Sequence, residues 1–173
     1  MTPALDRADE LLDDTLDRVR GNAVADRVFY TASQIGDFSI IWHVLNIGLL
    51  LLGVRTCKQA VRLALCLGAE SLIVNQGVKR LFRRQRPVSG DNHPHAVRTP
   101  STSSFPSGHA SSAAFAAHLL ADDHPGLRPL FWLIAAIVSL SRPYVRAHHA
   151  SDIAGGLVTG SVLARAARGL WPR

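Results

Sequence analysis

The sequence is short of cysteine, of aromatic side chains and, past its first turns, of acid. Cys57 and Cys66 stand nine residues apart, half a turn out of phase on a helix. No disulfide between them is expected, and neither has a neighbour at a metal-ligand spacing. Aromatic residues make up 6% of the chain although 47% of it is hydrophobic. The apolar content is carried by long runs of Leu, Ala, Val and Gly, which suits helices in lipid better than a soluble core. The basic-then-apolar pattern of a secretory signal is missing from the first residues. Neither a sequence repeat nor a low-complexity linker divides the 173 residues, so one domain is expected over 1–173. Acid concentrates at the start: residues 4–20 hold six acids against three arginines, within a net charge of +6. The remainder is strongly basic, which points to an anionic ligand at a membrane, with general attraction to anionic lipid as part of the cause.

Hydrophobic periodicity orders what is present. Leu5, Ala8, Leu12, Leu16 and Val19 recur at helical spacing, predicting an amphipathic helix that ends near Gly21. It has two possible seats, the membrane surface or its own protein; its negative charge opposes anionic lipid. Residues 38–54 form the first spanning candidate, and Arg55, Lys58 and Arg62 mark a short turn. A second span over 61–78 contains Glu70, expected as a hydrogen-bonded carboxyl between helices, and Asn75, one turn before Lys79. Residues 79–105 make a long polar loop, a length that is often functional. A third helix starts near Pro106, with Gly108, Ser112 and Ala116 as a small-residue stripe for close packing. Apolar residues 130–140 extend into a fourth span. The last helix runs from about Ser151 to Leu170, with a second stripe at Gly156, Gly160 and Ala164. The expectation is an all-α integral membrane bundle of about five spanning helices plus the amphipathic N-terminal one.

Three stretches carry chemistry. Lys79 and, seven residues on, Arg86-Pro87 place two cations where a helix gives way to the loop. Alone they would read as an interfacial basic cluster. Pro106-Ser107-Gly108-His109 opens a helix, where free N–H groups and the positive dipole end favour phosphate. Ser107 adds a hydroxyl, Gly108 allows close backbone approach, and His109 adds an acid. In the third stretch His148 and Asp152 are four residues apart and share a face on a helical turn. An aspartate there can accept the Nδ1 proton and leave Nε2 as a nucleophile. Arg142 offers a planar fork of donors for phosphate oxygens. His149 is expected to point about 100° away from His148. His118 is expected to be structural, and His93 and His95 are placed in the loop where a substrate headgroup could touch them.

In this order and spacing the three stretches resemble the type-2 phosphatidic acid phosphatase superfamily, whose relatives include vanadium haloperoxidases. Its pattern, Lys-x6-Arg-Pro, Pro-Ser-Gly-His and Ser-Arg-x5-His-x3-Asp, is met without substitution by Lys79/Arg86/Pro87, Pro106 to His109, and Ser141/Arg142/His148/Asp152. The resemblance covers about residues 75–155. It implies packed helices and a phosphohistidine mechanism. His148 attacks phosphorus, Asp152 orients it, and His109 protonates the leaving oxygen. Lys79, Arg86, Arg142, Ser107 and the Gly108 N–H hold the phosphate oxygens. No metal or other cofactor is expected, since three fixed cations supply the charge. The implied partners are a lipid-phosphate substrate and the surrounding membrane lipids, not nucleic acid. Candidate substrates are phosphatidic acid, phosphatidylglycerol phosphate, a polyprenyl pyrophosphate, and a prenyl-linked sugar phosphate of the kind used in actinobacterial arabinan synthesis.

Two other classes stand beside this reading. A haloperoxidase-like oxidoreductase would share the anion site but has no use for apolar spans. A non-catalytic lipid-phosphate binder would not need His148, His109 and Asp152 together. On sidedness, 12 of the 19 basic residues fall on the face that carries the site, which leans toward a cytoplasmic active site.

Overall fold

The computed structural model describes residues 3–87 and 102–170, and every regular element among them is helical. Helix α1 (Pro3–Asp17) is the expected amphipathic one. Of its two possible seats it takes the protein, lying against the helices that carry the last motif, with Asp9 turned inward.

Helix α2 (Ala23–Gly36) fills a stretch where hydropathy predicts nothing. Asn22 caps it, its side-chain oxygen accepting from the N–H groups of Val24 and Ala25 at 3.0 and 3.1 Å. The polar residues near its end disguise it, because Ser33 faces the interior rather than solvent. Phe38 and Ser39 then adopt positive φ, 53° and 60°, and the chain turns into α3 (Ile40–Leu51). Across that kink, Ala23–Leu51 is the one helical stretch among the described residues long and apolar enough to cross a membrane on length and composition.

Helix α4 (Cys57–Leu72) starts on a reciprocal cap between Thr56 and Gln59. Lys58 and Arg62 therefore belong to α4 and not to a turn. Arg62 and Arg55 are buried, 3.6 and 3.0 Å from Asp123. This ion cluster closes the end of the bundle away from the motifs. Beyond Leu72 the chain passes through a π-helical segment, Ile73–Gly77, and a 3-10 turn, Val78–Leu81, which carry Asn75 and Lys79 to the opposite end.

Helix α5 (Gly108–Asp123) is the axis of the bundle, with every residue from 110 to 117 buried. Ala and Ser hold seven of those eight positions, which lets α4, α6 (Arg128–Tyr144) and α7 (Ala150–Leu170) enclose the helix closely. Gly156 and Gly160 make the α7 contact possible. A Cβ on Gly156 would stand 2.5 Å from the Ser107 carbonyl oxygen, and one on Gly160 would strike the Ser111 backbone. Of the stripe expected on α5, Gly108 and Ser112 line a cavity, while Ala116 is packed in the core. Glu70 is the expected buried carboxyl, accepting from the Ser111 hydroxyl. Below the cavity Trp42, Leu63, Leu67, Phe115, Leu119, Leu120 and Phe131 fill the core. The outside is apolar as well, with Val44, Ile47, Leu65, Leu133, Val158 and Val162 exposed. Such a surface suits lipid better than water.

Candidate active site

His148 is positioned by how α7 begins. The carbonyl of His149 accepts the N–H groups of Asp152 and Ile153 at 3.1 and 3.3 Å, so His149 caps the helix. Asp152 closes back, its Oδ2 accepting from the His149 N–H at 2.9 Å. That same Oδ2 stands 3.5 Å from His148 Nδ1 and 3.3 Å from His149 Nδ1. His148 thus meets Asp152 as expected, but from the loop before the helix rather than from a shared helical face. His149 is a correction: outside the helix it is not forced 100° away, and it turns to the same carboxylate.

Arg86 fixes the tautomer of His148. One of its guanidinium nitrogens donates to the Ala147 carbonyl at 2.8 Å and lies 3.1 Å from His148 Nε2. A guanidinium only donates, so Nε2 accepts and carries no proton. The ring proton is then on Nδ1, facing Asp152. Burial, helped by Arg142 and Arg86 and opposed by Asp152, pushes the imidazole down to about 3. His148 is a neutral base through the physiological range.

A cavity of about 340 Å³ opens over this ring, and Lys79, Gly108, His109 and Arg142 line it with His148. Lys79 is buried, and that burial with the nearby Arg86 and Arg142 charges pushes its ammonium down to about 8. Arg142, also buried, donates to the Ser33 hydroxyl of α2. Ser107 stands behind the wall rather than on it. Its hydroxyl accepts from Ala110 N–H at 3.4 Å, and its own N–H donates to the Asp152 carbonyl at 3.0 Å. It therefore ties the start of α5 to the His148–Asp152 turn. On the far side His109 Nε2 lies 3.1 Å from the Ser33 carbonyl and 3.4 Å from Asp37 Oδ1. Asn75 supports the Lys79 corner: a Cβ on Gly108 would stand 3.3 Å from its Oδ1 and 3.6 Å from Lys79 Nζ. His118 lies elsewhere, against Ser161 at 3.1 Å and edge-on to Trp132. His93 and His95 fall outside the described residues.

Sequence reasoning missed a second layer. Arg84 donates to Asp152 Oδ1, to the Ser151 hydroxyl at 2.8 Å and to Asp9 at 2.6 Å. Asp9 in turn accepts from the Ser151 N–H and hydroxyl at 2.7 and 2.8 Å. One helical turn apart on α1, Asp13 and Asp17 hold Arg20 and Arg146, and Arg20 reaches the Pro143 and Tyr144 carbonyls at 2.7 and 2.9 Å. The acidic stripe Asp9/Asp13/Asp17 straps the catalytic loop from outside. Its spacing of four was the available signal, and it was read as the polar face of an amphipathic helix.

A helical bundle with a buried histidine–aspartate pair, Lys79 and Arg142 on one cavity, Arg86 against the histidine, and a helix N-terminus beside them defines a phosphate-handling enzyme. Residues 59–173 match the PAP2 superfamily, and the chain belongs to that family. It is 36% identical over 137 residues to the decaprenylphosphoryl-5-phosphoribose phosphatase of Mycobacterium tuberculosis, covering 76% of this chain and 72% of that one. With the enzyme of the same name from Mycolicibacterium smegmatis it shares 32% over 130 residues, 72% and 67% of the two chains. Its fold is similar to the transmembrane PAP2 type phosphatidylglycerolphosphate phosphatase of Bacillus subtilis, with a TM-score of 0.72, 26% identity, and coverage of 98% and 87%. It also matches the fold of Aquifex aeolicus LpxE, with a TM-score of 0.71, 18% identity, and coverage of 97% and 96%. The protein is a membrane enzyme and a hydrolase of lipid phosphates.

Proposed function

We propose that the protein removes the phosphate from a prenyl-linked sugar phosphate through a phosphohistidine on His148. The observation that carries the mechanism is the placement of Arg86 at 3.1 Å from a deprotonated Nε2 of His148, whose ring lines a cavity with Lys79 and Arg142. A guanidinium there brings a phosphate oxygen to the ring that attacks phosphorus. Lys79 and Arg142 hold the other oxygens, with the Gly108 N–H as a further donor. Asp152 steadies the imidazolium as it forms, and His109 protonates the leaving oxygen, then activates water. The choice of a prenyl-linked sugar phosphate, over a polyprenyl pyrophosphate or a phosphatidic acid, is supported by the two phosphoribose phosphatases in the preceding comparison. A single domain of five spanning helices, with α2 and α3 as the first, places the cavity at one membrane face, together with α1.

Phosphate release by purified protein in detergent, across a panel of these lipids, tests the substrate. Fastest turnover on the prenyl sugar phosphate is expected, and a preference for phosphatidic acid would overturn the assignment. Activity is expected to survive EDTA and to be blocked by vanadate. Loss with EDTA that magnesium restores would replace the three-cation mechanism. The site is proposed to face the cytoplasm, which puts exposed Cys57, at the far end of the bundle, outside. An impermeant maleimide should label Cys57 in intact cells; labelling only after permeabilisation would reverse the orientation.

A further inference from the structure

We infer that Asp37 is the carboxylate partner of His109, and that residues 33–39 are a further part of the active site, holding the leaving-group acid as Asp152 holds the nucleophile. The inference rests on the acid role proposed for His109. Four observations converge on that one ring. Its Nε2 lies 3.1 Å from the Ser33 carbonyl, which only accepts, so Nε2 carries a proton and exchange with substrate is left to Nδ1. Asp37 Oδ1 is 3.4 Å from the same Nε2, and the two side chains are only 13% and 19% exposed. Gly36 makes the approach possible, because a Cβ there would stand 2.5 Å from His109 Cδ2. Positive φ at both Phe38 and Ser39, costly for residues other than glycine, breaks the helix immediately after Asp37 and keeps residues 36–39 on the cavity wall.

Electrostatics gives this carboxylate a purpose. A general acid must be an imidazolium, and here it would form beside Lys79 and Arg142, whose charges oppose it. The Asp37 carboxylate, 3.4 Å from Nε2, offsets that opposition. In the first step His148 Nε2 bonds to phosphorus, the bond from phosphorus to the leaving oxygen breaks, and that oxygen takes the Nδ1 proton of His109. In the second, neutral Nδ1 takes a proton from water as the water oxygen attacks phosphorus. The phosphorus–nitrogen bond breaks, phosphate departs, and the imidazolium is restored. Ser33 links the two tasks, since its hydroxyl accepts from Arg142 and its carbonyl from His109. One residue of α2 sets the spacing between a phosphate-binding cation and the acid.

The test uses the full chain in detergent with phenyl phosphate and p-nitrophenyl phosphate, which differ chiefly in how much protonation the leaving oxygen needs. Asp37→Asn is expected to lower kcat on phenyl phosphate by about tenfold and on the nitrophenyl ester by less than about twofold, with KM unchanged on both. Equal losses on the two esters, or no loss on phenyl phosphate, overturn the pairing. His109→Ala is measured beside it. If that variant shows no dependence on the leaving group, the acid assignment falls and the pairing with it. If it shows the dependence and Asp37→Asn does not, the pairing alone is wrong. Should Asp37→Asn fail to fold, Asp37→Ser carries the same readout.

Discussion

The two histidines of the cavity are held in opposite senses. His148 is gripped through Nδ1 by a carboxylate four residues away and presents Nε2. His109 is gripped through Nε2 by groups 72 and 76 residues away, which leaves Nδ1 for exchange. The nucleophile's half is written in one short stretch, because a capped helix start brings cap and carboxylate together without outside help. The acid's half is assembled from two helices that meet only in the folded bundle. Local geometry leaves a spacing in the sequence, and tertiary geometry leaves none.

Breaking each half gives different signatures. The largest effect is expected from His148→Ala, which removes the proposed nucleophile. Turnover should fall on the order of 10⁴-fold or more, to the same extent on good and poor leaving groups. Residual activity that still forms an acid-labile phosphoprotein would place the nucleophile elsewhere. Next comes the strap on the nucleophile's half. Arg84→Ala leaves Asp9 and Asp152 buried without their shared cation, a cost on the order of 3 kcal/mol in stability. It should also lower kcat more than it raises KM, since Arg84 does not line the cavity. Thermal unfolding in detergent and steady-state kinetics check both, and Arg84→Lys should recover part of each. Asp9→Asn, which keeps Arg84 on Asp152, should show a smaller version of the same pattern.

The mildest perturbation is pH, acting on a cation that serves both halves. Lys79 follows α4 and the π-helical segment, with its ammonium pushed down to about 8, so its charge is present below that pH and lost above it. Phosphate binding needs the charge, and KM should rise through pH 8, by roughly tenfold at pH 9. Over the same interval His148 is already neutral and adds nothing to that rise. A KM that stays constant through pH 8 would remove the Lys79 charge from ground-state phosphate binding.

The same division decides how much was legible in the sequence. Lys79, Arg86, Gly108, His109, Arg142, His148 and Asp152 were all named from motifs, and the structure brings them to one end of the bundle. The helices from residue 57 onward followed from apolar runs, with ends within a few residues. Helix α2 was lost because its inward face is Ser33 and Gly36, which a hydropathy reading takes for loop. Arg62 was read as a turn residue because nothing near it in sequence shows that Asp123 will bury it. His149 was misdirected by assuming the helix had already begun. For α2 and Arg62 the neighbour in space is far away in the chain, whereas for His149 it is Asp152, three residues on, and only the helix start is misplaced.

The strap on the catalytic loop also sets an order of assembly. Helix α1 is synthesised first, yet its partners Arg84, Arg146 and Ser151 lie 75, 129 and 142 residues downstream of Asp9, Asp17 and Asp9. At ordinary ribosome speeds the last of these emerges roughly 7 to 30 s later. Through that interval Asp13 and Asp17 have only Arg20 to meet and Asp9 lacks Arg84, and the helix's net negative charge opposes settling on anionic lipid. Its contacts with Ser151 can form only once the final helix has begun. The strap on the His148–Asp152 turn therefore closes late in assembly.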